Sequence, residues 1–312
     1  MSGMSRRKAV RGLFLLVALG FGAWSLAGQW GAVSDGFARL SWPELAGAFV
    51  AVLGALGAGM MMWRSLLAEF GSPLSLTSAA KIFFIGQLGK YIPGSAVHVM
   101  LAQMEMGRDH GIPRSRSAAA FFLTYPIYLA SGLLVGVVTL PVIGGDSVAR
   151  YAWLLLLVPV LVVALHPAIV NTVIGFGLRR LRRPPLERPL TRRGILAAVG
   201  WALSGWALYG VHLALIVHGL GATGTDAVIL SFGAFALAWC LGTLAVVFPA
   251  GAGVREVAMV AALAPVLDRG SAIAAALCSR LIVSVGDLVC AAMAGAAARG
   301  SVPQTGQPAE KH

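Results

Sequence analysis

The chain has 312 residues, 58% of them hydrophobic and only 12% charged, with a formal net charge of +12. Soluble domains are about one-quarter charged, so a mean hydropathy of +0.82 excludes an ordinary soluble enzyme and points to an all-α polytopic membrane protein. The positive charge does not imply a nucleic-acid partner, because most of the basic residues sit in three short clusters beside apolar runs, as cytoplasmic flanks do.

In chain order, Arg6, Arg7, Lys8 and Arg11 precede "GLFLLVALGFGAWSLAG". This start resembles a signal peptide, but its long apolar run and the later basic clusters favour an uncleaved first span over residues 10–30. A second span is predicted over 45–69 and a broken segment over 79–105. Arg108, Arg114 and Arg116 follow, then spans over 117–143 and 151–178. "RRLRRPPLERPLTRR", Arg179 to Arg193, forms the next basic loop. It leads to a span over 195–219, a second broken segment over 226–267 and a last span over 271–298. The tail 301–312 is polar and expected to be disordered.

About six full spans plus two broken helical hairpins therefore place both termini and all basic clusters in the cytoplasm. The arrangement reads as a single membrane domain, 1–300, with candidate inverted repeats at 45–143 and 195–298. If 226–267 crosses twice instead of re-entering, the tail still ends inside, so parity does not separate the two.

The broken segments point to function. "KYIPGSAVH" carries Pro93 and Gly94, and "FPAGAGVRE" carries Pro249, Gly251 and Gly253. Proline removes a donor and clashes with the preceding turn, while glycine permits sharp reversal. Broken backbone survives at membrane depth only where protein or a watery cavity surrounds it. Interruptions at matching places in two halves mark the binding site of many transporters.

Ionisable residues at membrane depth are costly and usually functional. Arg255 and Glu256 open a short helix after the second break, where free N–H groups and a guanidinium together suit an anion. The plainer reading is that Glu256 complements the helix start and Arg255 reaches the interface. Arg280 lies deep in the last span, at a cost of about 3 kcal/mol on insertion scales, and Glu256 is its expected partner. Ser284 and Asp287 share its helical face. Asp287 is about 10 Å further along the axis, too far for direct pairing with Arg280. A salt bridge that only holds helices together is the alternative. Lys90 and His98 flank the first break and form the expected opposite wall, Lys90 as a point charge for phosphate and His98 as a donor or proton carrier. A lone histidine also serves often as a satisfied core residue, and His212 and His218 receive no role.

Other chemistry lacks support. "GAGVRE" lacks the third glycine and β-α-β context of a dinucleotide site, no phosphate-binding loop GxxxxGK[ST] occurs, and neither HExxH nor a nucleophile–histidine–carboxylate set stands out. Cys240, Cys278 and Cys290 lack metal-ligand spacing. No catalytic residue, metal or cofactor is expected.

The run "GQLGKYIPG", with "MEMGRDHGIPRSRSAAAFFL" after it, and the run "FPAGAGVREVAMVAAL" with "AALCSRLIVSVGDL" resemble the two signatures of the lysylphosphatidylglycerol synthase transmembrane region, also called the flippase-like domain. The resemblance covers about 80–300. Gly253, Arg255, Glu256 and Arg280 match the second signature, and Pro93 and Gly94 the first. Many members carry an arginine or glutamate shortly after the first break, where this chain has Ser95 to His98. The family's soluble transferase domain is absent, so the resemblance implies a stand-alone member that is not itself an enzyme.

The resemblance and the site residues together lead to the expectation of a lipid translocase of the bacterial inner membrane. Its cargo would be an anionic, polyprenyl-phosphate-linked or similar lipid, and a cell-envelope glycosyltransferase or lipid-modifying enzyme is a candidate partner. A non-transporting membrane scaffold is the alternative, and an ion or small-solute carrier a third reading.

Overall fold

A computed structural model describes residues 30–91, 95–139, 156–164, 166–180, 189–245, 251 and 253–300, which are mostly helical with no strand among them. The helices are α1 (Trp30–Arg39), α2 (Trp42–Glu69), α3 (Leu76–Gln87), α4 (Ser95–Arg108), α5 (Arg114–Thr139), α6 (Leu157–Ala164), α7 (Pro167–Arg180), α8 (Arg192–Gly219), α9 (Thr225–Leu244), α10 (Val254–Leu263) and α11 (Arg269–Gly300). A single 3₁₀ turn, Leu88–Tyr91, extends α3. Helices α2, α5, α8 and α9, and α11 over Arg269–Ala297, are long and apolar enough to cross a membrane.

The centre of the fold is the antiparallel pair α2 and α8. Glu44 meets Gly219 at one end, Leu208 covers Gly54 midway, and Glu69 covers Gly194 at the other end. Lipid tails are as apolar as leucine, so membrane helices associate through close packing between small residues rather than through hydrophobic burial. Each helix has its own start signal. Ser41 caps α2, with its N–H donating to Glu44 Oε2 at 3.0 Å. Thr191 caps α8 by accepting from the Gly194 N–H at 3.0 Å, and its hydroxyl donates to Glu69 Oε2 at 2.7 Å.

Around this pair, α3 packs on α11 and α9 packs on α5. The first arm of each broken segment therefore lies against the long helix that closes the other half of the chain. The α5–α9 contact is again tight: a side chain at Gly132 would meet Trp206 and Cys240, and one at Gly136 would meet Leu237.

Residues 10–29 of the expected first span, Pro93, Gly94 and Pro249, and the tail 301–312 lie outside the described residues. The expected unbroken span over 151–178 takes another form, since its described part is two helices, α6 and α7, neither long enough to cross. Pro167 explains the division, because the residue before a proline is driven out of the helical region. His166 then caps the new helix, its Nδ1 accepting from the Ala168 N–H at 3.3 Å.

At the start of α11, outside the membrane-spanning segments, exposed Asp268 accepts from the Ser271 N–H at 3.0 Å and the Ser271 hydroxyl at 2.6 Å. These bonds favour the charged form and hold the Asp268 carboxyl below its ordinary pKa.

Candidate functional site

Both broken segments double back on themselves. In the first, Gly86 faces Gln103 and Gly89 faces the backbone of His98 and Val99, so α3 with its 3₁₀ turn and α4 run antiparallel. In the second, Gly251 (φ +68°) and Gly253 (φ +85°) take left-handed conformations that ordinary side chains resist. A Cβ at Gly251 would come within 2.7 Å of the Gly242 backbone, so the returning chain touches the end of α9 where only glycine fits.

This reversal delivers Arg255 to the top of Gly242, which a Cβ would bring to 3.1 Å from the arginine's own Cβ. The guanidinium lies over the ring of Phe235, 4.8 Å from its centroid. Phe235 is fully buried and stacks on Tyr209 at 4.5 Å, which fixes the platform. Among the described residues, Arg255 has no hydrogen-bond or ion-pair partner.

The neighbouring charges are balanced. Glu256 accepts from the Gly253 N–H at 2.6 Å through Oε2 and meets Arg280 Nη1 at 3.2 Å through Oε1. The pairing of Glu256 with Arg280 expected from the sequence is thus present, and Glu256 ties the first turn of α10 to α11. Asp287, only 2% exposed, takes a different partner: its Oδ2 meets Lys90 Nζ at 2.7 Å and accepts from the Tyr91 hydroxyl at 2.6 Å.

These groups surround one cavity of about 380 Å³ between the two broken segments. Arg255, Arg280, Lys90, Asp287 and Ser284 all line it, as does Gly251. His98 does not: it is exposed on α4, away from the lining. The sequence reading missed the aromatic wall formed by Tyr91, Tyr125, Tyr128, Tyr209 and Trp239. Tyr91 was signalled only by standing next to Lys90, and the others carry no local signal because they come from three separate helices. Trp206 holds that wall in place, meeting Tyr128 and Trp239 edge-on at 5.3 Å and donating from Nε1 to Ser131 Oγ at 3.0 Å.

The lysylphosphatidylglycerol synthase TM region family matches residues 12–289, nearly the whole chain. The chain belongs to that family. As a member of the lysylphosphatidylglycerol synthase TM region family it is a multi-pass membrane protein concerned with lipid handling. No curated protein shows significant similarity to it. Of the residues that match the second signature, Gly253 takes part in the reversal, and Arg255, Glu256 and Arg280 carry the charge at the cavity's edge.

Proposed function

We propose that the protein is a lipid translocase of the bacterial cytoplasmic membrane, which moves an anionic head group, polyprenyl-phosphate-linked or of similar chemistry, past two facing hairpins that re-enter the bilayer. The single observation that carries this reading is Arg255, a guanidinium without an anionic partner among the described residues, on the wall of the cavity. A cation at such depth is expensive unless it meets an anion, and a guanidinium offers forked donors for phosphate.

In this reading Arg255 and Arg280 hold the phosphate, Glu256 balances Arg280, and Lys90 with Asp287 forms the opposite wall. Ser284 contributes a hydroxyl. The antiparallel α2–α8 pair and the matching α3–α11 and α9–α5 contacts support an inverted repeat over 45–143 and 195–298. Both termini lie in the cytoplasm. Without a nucleotide-binding loop, transport runs down a gradient or couples to ion movement. The protein performs no covalent chemistry of its own and works beside a cell-envelope glycosyltransferase or lipid-modifying enzyme.

The test is reconstitution into liposomes with a fluorescent anionic lipid, reading the fraction accessible to an external quencher over time. The wild type should accelerate exchange, and R255A should lose at least tenfold of that rate while retaining its melting temperature. A folded R255A protein that moves lipid at the wild-type rate overturns the proposal.

A further inference from the structure

We infer that the cavity is matched to a head group with one net negative charge, a single phosphodiester, and not to a dianionic or zwitterionic one. The inference rests on the lipid-binding reading above and goes beyond it by fixing the charge of the cargo.

The described charges at the cavity are three cations, Arg255, Arg280 and Lys90, and two carboxylates, Asp287 on its wall and Glu256 behind Arg280. Two of the cations are matched, Lys90 by Asp287 at 2.7 Å and Arg280 by Glu256 at 3.2 Å. One positive charge therefore remains, and it resides on Arg255, whose described contact is the face of Phe235. Lys90 and Arg280 are only about one-quarter exposed, and among partly buried groups a charge imbalance is screened much less than on an open surface. A monoanion brings the cavity to neutrality. A dianion leaves one negative charge, and a zwitterion adds an ammonium while both described carboxylates are already engaged.

The matched pairs are not easily recruited for a second phosphate. Asp287 is 2% exposed and its Oδ2 also accepts from Tyr91, so drawing Lys90 away would strand a buried carboxylate. Glu256 is held twice, by the Gly253 N–H and by Arg280. The remaining wall is uncharged: Tyr125, Tyr128, Tyr209 and Trp239 with Thr124 and Ser284. At about 380 Å³ the cavity lies near the lower end of small-molecule sites, which is room for a head group with its hydrocarbon chains outside.

The experiment measures binding rather than movement, so it fails separately from the translocase proposal. The full chain in neutral detergent is offered phosphatidylglycerol (one negative charge), phosphatidylcholine (zwitterionic) and phosphatidic acid at pH 8 (approaching two), and retained lipid is quantified by native mass spectrometry. Phosphatidylglycerol should be retained at least tenfold over both others, and R255A should remove the preference. E256Q adds one net positive charge and should shift the preference towards phosphatidic acid. Gln87→Lys, on the cavity wall, makes the same shift by a different route should E256Q not fold. Equal or tighter retention of phosphatidic acid by the wild type overturns the inference. So does equal retention of phosphatidylcholine, which would mean that the aromatic wall accepts an ammonium. An unchanged order in a folded charge-adding variant does so as well. A protein that shows the expected order yet moves no lipid removes the translocase reading and leaves this one standing.

Discussion

Asp287 on α11 and Lys90 at the end of the first arm of the first broken segment meet at 2.7 Å, joining the two halves of the chain across the cavity. Their exposures differ, 2% for Asp287 against 24% for Lys90, so removing the lysine should do more harm than removing the carboxylate. K90M strands a buried charge whose remaining partner among the described residues is the Tyr91 hydroxyl. It should cost about 2–3 kcal/mol, below the 3–5 typical of a fully buried pair because the lysine is partly exposed. K90M/D287N should recover most of that loss in detergent unfolding curves. A double variant as unstable as K90M would show that the pair does not act as a unit.

The Tyr128 hydroxyl occupies the crossing of α2 and α8, where a Cβ at Gly59 would lie 3.0 Å from it and one at Gly205 2.9 Å. Glycine to alanine in a helix normally gains about 1 kcal/mol, but here the methyl meets an oxygen held on both sides, and overpacking costs about 1–3 kcal/mol. G205A should therefore destabilise the wild type and stabilise the Y128F background. The sign change across this cycle in thermal melts is the measurement, and the same sign in both backgrounds would refute the packing argument.

His212 is fully buried on α8 and links three helices. The Ala48 carbonyl can only accept, so His212 Nδ1 carries the proton that it receives at 3.2 Å, and Nε2 accepts from the Ser279 hydroxyl at 3.0 Å. S279A leaves Nε2 buried and unpaired, which should cost about 1–3 kcal/mol. Thermal unfolding should show this loss, while the lipid preference stays unchanged because neither residue lines the main cavity.

Asp268 gives a pH dependence of known sign. Its folded pKa is depressed by the Ser271 hydrogen bonds, so its contribution is present above the unfolded value of about 3.9 and fades as pH falls through the lower folded value. Melting temperature compared between pH 6 and pH 3 should fall more for the wild type than for D268N, whose amide oxygen still caps α11. D268A should cost about 1 kcal/mol at pH 6. Identical pH profiles for wild type and D268N would remove Asp268 from the acid response.

The membrane class, the helices on both sides of each break and the Arg280–Glu256 pair were legible in the sequence because each has a local signature: apolar length, proline with glycine, or a charge that apolar surroundings cannot leave unmatched. The division of 151–178 was equally local, written in His166-Pro167, but the high apolarity of the run masked it. The partner of Asp287 was not legible. Helical spacing ruled out Arg280, and nothing near either residue indicates that the far end of α3 lies beside α11.

Sequence alone determined that this chain lives in a bilayer and breaks two of its helices beside charged residues, because hydropathy and backbone stereochemistry act over a turn or two. Only the tertiary structure decided which charges cancel. That depends on Lys90 meeting Asp287 from the other half of the chain, and on Phe235 rather than a carboxylate lying beneath Arg255. Pairing of charges is fixed by distance in space, and the packing of α3 on α11 and of α10 on α9 sets those distances.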